Sequence, residues 1–359
     1  MKKKKISVLI TGAGGAGSLG RELMKTLELA NNDYKIIVTN SSSLSVGLYE
    51  NVRSYIISQA ASKNYINDIL NICKKEKIDV VIGGSEPEIK KLAENNDLFI
   101  KKKIILLTNS IKIIRLCSDK LKLSEFLIKN KIRCPKTFSF QKPDDIKQIE
   151  SYPVVIKPRS GSGSRNVFLA NDNDEVIFFA NYLKKYGSEP IIQEYINNFE
   201  EEFTIGVLYS DKGKLKTSIG MKRILEGGMS TRDIRINPKD KKRSVISSGI
   251  SQGYFDSFYE IKQFGEKIAK ILDSDGPMNI QCRKIKNEIF IFEINPRFSG
   301  TVTSRSLVGI NEPDILIQYK IFNEQPNIQK IKKGYVMKDL KEKYISLDDI
   351  KNLNTLWSN

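Results

Sequence analysis

The segment Ile289-Phe290-Ile291-Phe292-Glu293-Ile294-Asn295-Pro296-Arg297 restricts the fold of this chain more than any other stretch. Its apolar run has the length and composition of a β-strand, and a proline closes it. Side chains at i and i+2 of a strand share a face, so Glu293 and Asn295 point the same way. A carboxylate in so apolar a strand is costly to bury unless something neutralises it. A hard cation is the natural partner, since carboxylate and amide oxygens suit Mg²⁺ or Mn²⁺. The preceding strand, Met278–Lys284, carries Gln281. A three-residue turn at Lys286–Glu288 places Gln281 opposite Glu293, whereas a two-residue turn sends it to the other face. The alternative reading is a strand-end glutamate paired with Arg297.

The absence of histidine from all 359 residues narrows the chemistry. It excludes Ser-His and Cys-His nucleophilic machinery and leaves any metal to oxygen ligands. Four cysteines, Cys73, Cys117, Cys134 and Cys282, lie too far apart for a disulfide framework or a zinc site. The formal charge of +17 suggests a nucleic-acid-binding protein as one alternative. However, the lysines are spread along the whole chain among Ile and Asn, a compositional bias and not a basic patch. No apolar run reaches the roughly 18 residues of a membrane span. The lysine-rich start runs straight into a short strand and a glycine turn, which points to a cytoplasmic protein without a membrane segment.

Residues 6–107 alternate strand and helix: Ile6–Thr11, Ser18–Ala30, Tyr34–Thr39, Asn64–Glu76, Asp79–Gly83 and Ile104–Leu107. Such alternation predicts a parallel, doubly wound sheet. Between its first strand and helix, Gly12, Gly14 and Gly17 match G-x-G-x-x-G. A dinucleotide site also requires an acid after the second strand, and here Asn40 stands there, before Ser41-Ser42-Ser43. An NAD(P)-dependent oxidoreductase is therefore the alternative, and a glycine turn for close strand–helix packing the preferred reading.

After Cys117 the pattern changes to a helix, Ser118–Asn130, and short strands around a second helix, Asp174–Tyr186. One strand, Val154–Lys157, runs into Pro158-Arg159-Ser160-Gly161-Ser162-Gly163-Ser164-Arg165 and then a further strand at Val167–Ala170. A loop of small residues between two strands can close over phosphates with its backbone N–H groups. Ser160, Gly161, Ser162 and Gly163 are its candidates, and the spacing is not that of a P-loop. Lys157 supplies a point charge to the phosphates, and Lys120 a second. An ordinary hairpin with solvated lysines is the alternative.

These motifs, in this order, resemble the ATP-grasp superfamily, in particular its carbamoyl-phosphate-synthase-like carboxylate–amine ligases. The resemblance covers Ile6 to about Gly309 and includes Ser85-Glu86-Pro87-Glu88 after the strand at Asp79. It implies mixed α/β and α+β architecture. A Rossmann-like preATP-grasp domain at 1–110 would precede a two-lobed ATP-grasp fold, with a lid at 111–190 and a catalytic lobe at 191–325. Residues 326–359 would be a C-terminal extension. It further implies that Lys120 and Lys157 contact ATP phosphates, that Glu194, Tyr195 and Ile196 contact adenine, and that Glu202, or else Glu201, binds ribose. Mg²⁺ (or Mn²⁺) would be held by Gln281, Glu293 and Asn295, with Arg297 beside the reacting phosphoryl group. Arg223 and the loop Gly227-Gly228-Met229-Ser230 resemble substrate-side elements. Arg305 is a candidate clamp for a substrate carboxylate, or else a surface arginine. The expected partners are a small-molecule carboxylate and an amine, and a homodimer is left open. The chain carries a single ATP-grasp unit and no glutaminase segment, and Phe298–Arg305 does not follow the synthase pattern. Carbamoyl phosphate synthesis itself is therefore not expected.

Overall fold

The computed structural model describes residues 5–50, 52–161, 163, 165–211, 213–225, 229–236, 241, 243–324 and 330–353. Five strands form its first sheet, all parallel: Arg53–Ile56, Tyr34–Asn40, Ile6–Ile10, Val80–Ile82 and Ile105–Leu106, in that spatial order. Both faces of the central strand are covered, which explains its unbroken apolar sequence. Val8 and Ile10 pack with Leu23, Met24 and Leu27 of the helix Leu19–Glu28. Leu9 and Val81 pack with Ile69 and Ile72 of the helix Tyr65–Glu76 on the other side.

The tightest packing here is between backbones. A Cβ on Gly20 or on Gly84 would overlap the Thr11 carbonyl oxygen, so helix, first strand and the turn after Val80–Ile82 are in direct contact. Neither glycine belongs to the G-x-G-x-x-G pattern.

The next unit is a four-stranded antiparallel sheet with Thr137–Ser139, Pro190–Glu194, Val154–Pro158 and Phe168–Ala170 in that order. The helix Asn173–Lys185 covers it through Val176, Ala180 and Leu183. The last unit is a six-stranded antiparallel sheet: Glu288–Asn295, Pro277–Ile285, Glu202–Ser210, Lys214–Arg223, Gly253–Phe255 and Gly334–Val336. Its core includes the helix Tyr259–Ile271 and also Ile113, Cys117, Leu123 and Leu127, from the helices Ile111–Ser118 and Lys120–Lys129. A hairpin, Thr231–Ile236 with Arg243–Ser247, completes the described strands.

These contacts move three boundaries drawn from sequence. The strand at 190–194 belongs to the lid sheet, beyond the expected limit at 190. The helices from 111 to 129 pack in the core of the other lobe, because their apolar faces match that sheet. The segment after 326 is not an appendage: Gly334–Val336 pairs with Gly253–Phe255, and Lys338 bridges to Glu22 at 2.9 Å in the first unit. Among the described residues no helix is long and apolar enough to cross a membrane.

Gly84→Ala should lower the stability of the first unit by about 1–3 kcal/mol, the usual cost of overpacking. Gly15→Ala, whose Cβ meets nothing within 4 Å, should change it by less than about 0.5 kcal/mol. Urea midpoints of the two variants check the contrast.

Candidate functional site

The strand Glu288–Asn295 reaches its functional geometry by an irregular route. Its turn has two residues, Lys286 and Asn287, with Ile285 paired to Glu288, and Lys286 adopts a φ of 54°. By simple alternation that turn would have separated Gln281 from Glu293. The register shifts instead: Cys282 faces Ile291, Gln281 faces Glu293, and Phe292 is an extra residue between them. Such a bulge re-aims side chains locally. Ile289, Ile291 and Ile294 remain in the core, while Phe292 and Glu293 line a cavity. Asn295 donates from Nδ2 to Glu293 Oε1 at 2.9 Å.

Across that cavity stands the sheet carrying Lys157. Its Nζ is buried and donates to Gln193 Oε1 at 2.7 Å, one of the three bonds an ammonium can make. Burial, and next the nearby Lys120, push its pKa down to about 7, against an opposing pull from Glu293. Lys120 opens the helix Lys120–Lys129, whose N-cap Asp119 accepts from the Lys122 backbone. Its Nζ donates to the Gly161 carbonyl at 2.9 Å, and burial lowers its pKa also.

The second glycine loop is anchored at its base. Arg159 bonds Asp119 through Nε at 2.9 Å and Nη2 at 2.8 Å, and Nη1 reaches Glu189 at 3.1 Å. Sequence reading placed Arg159 in the loop but missed this role; Asp119 at a helix start was the available signal. Ser160, Gly161 and Gly163 are all exposed, so the backbone there is open to a ligand. Ser162 lies outside the described residues, as do Gly227 and Gly228.

The cavity also has apolar walls, with Val155, Val167, Tyr195, Ile196, Ile246 and Phe292 among its lining residues. Tyr195 is fixed by its hydroxyl, which donates to the Val245 carbonyl at 3.1 Å and accepts from the Val245 N–H at 2.6 Å. Glu194 is exposed and accepts from the Lys136 backbone at 3.1 Å. Glu202 lines the cavity, fully buried between Arg223 Nη1 at 2.8 Å and Arg283 Nε at 2.9 Å. Burial pushes its carboxyl up, but Arg283 and Arg223 outweigh this and hold it below the ordinary range. Glu201 pairs with Lys222 and lines neither this cavity nor its neighbour.

The neighbouring cavity, of ≈ 350 Å³ beside the first of ≈ 90 Å³, shares Lys120, Gly161, Gln193, Phe292 and Glu293 with it. Arg297 lines it and pairs through Nη2 with Glu86 Oε1 at 3.1 Å. None of Gly12, Gly14 and Gly17 lines either cavity.

Two arginines fall elsewhere than expected. Arg305 is neither a surface residue nor on these cavities: it is 1% exposed and pairs with Glu312 at 2.9 Å. Its Nη2 also donates to Asn279 Oδ1 at 2.8 Å, beneath the sheet. A guanidinium so placed has no route to a substrate carboxylate. Arg223 is likewise buried, behind the cavity wall, where it holds Glu202 and the Ser248 carbonyl.

A PylC-like N-terminal domain model matches residues 8–107, and an ATP-grasp domain model matches residues 117–301, more than half of the chain. The chain belongs to the ATP-grasp family. Among curated relatives, the carbamoyl phosphate synthase large chain of Thermotoga petrophila is 22% identical over 289 residues, 74% of this chain and 24% of the relative. That of Clostridium botulinum (strain Kyoto / Type A2) is 28% identical over 251 residues, 67% of this chain and 22% of the relative. The chain thus spans about a quarter of the length of these relatives. Among solved structures, L-amino acid ligase from Bacillus licheniformis superposes with a TM-score of 0.63 at 17% identity, covering 89% of this chain and 74% of that one. N5-carboxyaminoimidazole ribonucleotide synthetase from Thermotoga maritima gives 0.58 at 16% identity, covering 87% and 75%. At such identities the likeness establishes the ATP-grasp fold.

Lys157 offers a direct test of the phosphate end. Phosphates beside it should raise its pKa from about 7, so that ADP binding takes up protons above that pH. Affinity should be full below pH 7 and weaken above it, by at most about tenfold per unit. Calorimetry at pH 8 in buffers of different ionisation enthalpy should show this uptake, and Lys157→Met should lose it. Binding by the wild type without proton uptake would show that the amine is already charged.

Proposed function

We propose that this chain is an ATP-dependent ligase that activates a carboxylate as an acyl phosphate, releases ADP and passes the acyl group to an amine. The observation that carries the proposal is a cavity whose wall combines apolar side chains with Lys120 and Lys157, and which shares Glu293, beside Gln281 and Asn295, with a second cavity. A nucleotide has the matching combination of base and polyphosphate.

The donor set fits a cation that arrives with phosphate. Among the described residues no group of three or more His, Cys, Asp or Glu side chains could hold a metal by itself. One carboxylate with amide oxygens is a partial shell, which Mg²⁺ accepts when phosphate oxygens and water complete it. Glu293, Asn295 and Gln281 are the residues that would hold it, and bound there it would neutralise charge on the β- and γ-phosphates.

The remaining roles follow from position. Lys120 and Lys157 draw the phosphates inward with the donors left unused by Gln193 and Gly161. The backbone N–H groups of Ser160, Gly161 and Gly163 close over them. Tyr195 and Ile196 form the apolar seat for adenine, Glu194 contributes at its edge, and Glu202 faces the ribose. Arg297, on the wall of the second cavity, stands beside the γ-phosphate. A substrate carboxylate oxygen attacks the γ-phosphorus, and the bond to the bridging oxygen breaks toward ADP. The amine nitrogen then bonds to the acyl carbon, phosphate leaves with the electron pair of the broken C–O bond, and the nitrogen loses a proton. Phosphoryl transfer needs positioning and charge neutralisation above all, so a protein without histidine can perform it.

Support for a carboxylate and an amine comes from the relatives: a ligase of amino acids and the carbamoyl phosphate synthases share this domain. Glu293→Gln should cut ADP formation by about a hundredfold or more while leaving the circular dichroism and urea midpoint unchanged. The assay is ADP release across a panel of carboxylates and amines. Turnover at the wild-type rate in that variant would remove the metal site from the mechanism.

A further inference from the structure

The second cavity holds a carboxylate that the chemistry above does not use. Glu86 opens the helix Glu86–Glu94 of the first unit and lines that cavity with Lys120, Glu293, Asn295 and Arg297. Its side chain is 36% exposed and held by Arg297 at 3.1 Å. Glu88, two residues on, points elsewhere: it is buried beneath Gly12 and accepts from Ser85 Oγ at 2.5 Å. Glu86 and Glu293 are therefore the two acids that the described residues bring to this cavity, and Glu293 is committed to the cation.

We propose that Glu86 is the docking carboxylate for the amine substrate, which it takes as an ammonium. The proposal rests on the ligase reading. Arginine forms strong, charge-assisted bonds to phosphate, so a γ-phosphoryl group beside Arg297 competes with Glu86 for it. As Arg297 turns to the phosphate, Glu86 loses its ion-pair partner and keeps only the attraction of Lys120. A cationic amine entering the cavity restores the pair, and it passes one proton to the Glu86 carboxylate before its freed lone pair attacks the acyl carbon. The exchange makes the amine site complete only when phosphate is in place. Much of the remaining wall is apolar, with Ile89, Ile114, Leu123 and Leu127. The amine that fits therefore bears an apolar substituent and no second charge.

The test compares wild type, Glu86→Gln and Glu86→Asp with Mg-ATP, free amino acids as carboxylates and isobutylamine as the amine, measuring both ADP and amide. Without a docked amine, water consumes the acyl phosphate, so ADP forms without product. Glu86→Gln should lower the amide-to-ADP ratio at least tenfold and raise KM for isobutylamine, and Glu86→Asp should recover part of the ratio. If both products fall in parallel with the ratio intact, Glu86 merely ties Arg297 in place and the proposal is overturned. Absence of ADP release from wild type across all pairs overturns the ligase reading itself, and this proposal with it.

Discussion

Opposite charges facing one another across a cleft between two sheets organise this protein. Lys157, with Lys120 near it, faces Glu293, and the attraction of Glu293 partly offsets the cost of burying each cation. Two cations side by side repel, and burial penalises both, which is why the Lys157 amine is held so far below its ordinary range. An isolated site of this kind is electrostatically incomplete. In the function proposed above, a polyphosphate with its cation would supply what each side lacks: anions for the lysines, positive charge for the carboxylate.

The second group of charges has the opposite character, since it is complete without ligand. Glu202 lies between Arg223 and Arg283, and Arg305 lies between Glu312 and Asn279. Replacing buried ion pairs with apolar residues often costs nothing, so their presence is weak evidence for stability. Their geometry is more informative. Asn279 pairs in register with Asn295 and accepts from both Thr204 and Arg305, so the strand carrying Glu293 and Asn295 is pinned from below. Arg283 bonds the Ile196 and Val245 carbonyls as well as Glu202, joining the segment after Pro190–Glu194, the hairpin and the six-stranded sheet at one guanidinium. These arginines fix walls, whereas Lys120, Lys157 and Arg297 line the cavities themselves.

How much of this was legible in the sequence depended on how local each signal was. Glu293 and Asn295 could be read from strand periodicity and from the cost of a carboxylate among Ile and Phe. Lys157 could be read from the loop that follows it. Gln281 was placed correctly for an incomplete reason, because the turn has two residues and the bulge at Phe292 makes up the difference. A bulge leaves little trace in a run as uniformly apolar as Ile289–Phe292. Arg223 and Arg305 were misplaced because their partners, Glu202 and Glu312, are defined by sheet packing and a helix start that no spacing rule connects. The lid boundary failed for a similar reason. A strand at 190–194 joins whichever sheet its neighbours form, and composition does not reveal that choice.

The first glycine turn shows how a strong motif can mislead about function while reporting faithfully on packing. Its preferred reading, close strand–helix contact, holds, yet the contact is made by Gly20 and Gly84 outside the pattern. Asn40 accepts from the Ser42 backbone at 3.1 Å and so closes its own turn, where a dinucleotide site would need a carboxylate. Gly12 sits over Glu88, whose carboxyl burial pushes up, so the space beneath the turn is filled by protein. That filled base has a consequence two residues away. With Glu88 locked under the turn and Ser85 bonded to it, the start of the helix Glu86–Glu94 is rigidly set. Glu86 is thereby presented to the second cavity by a fixed element, and the first unit contributes to the site through the acid it delivers there.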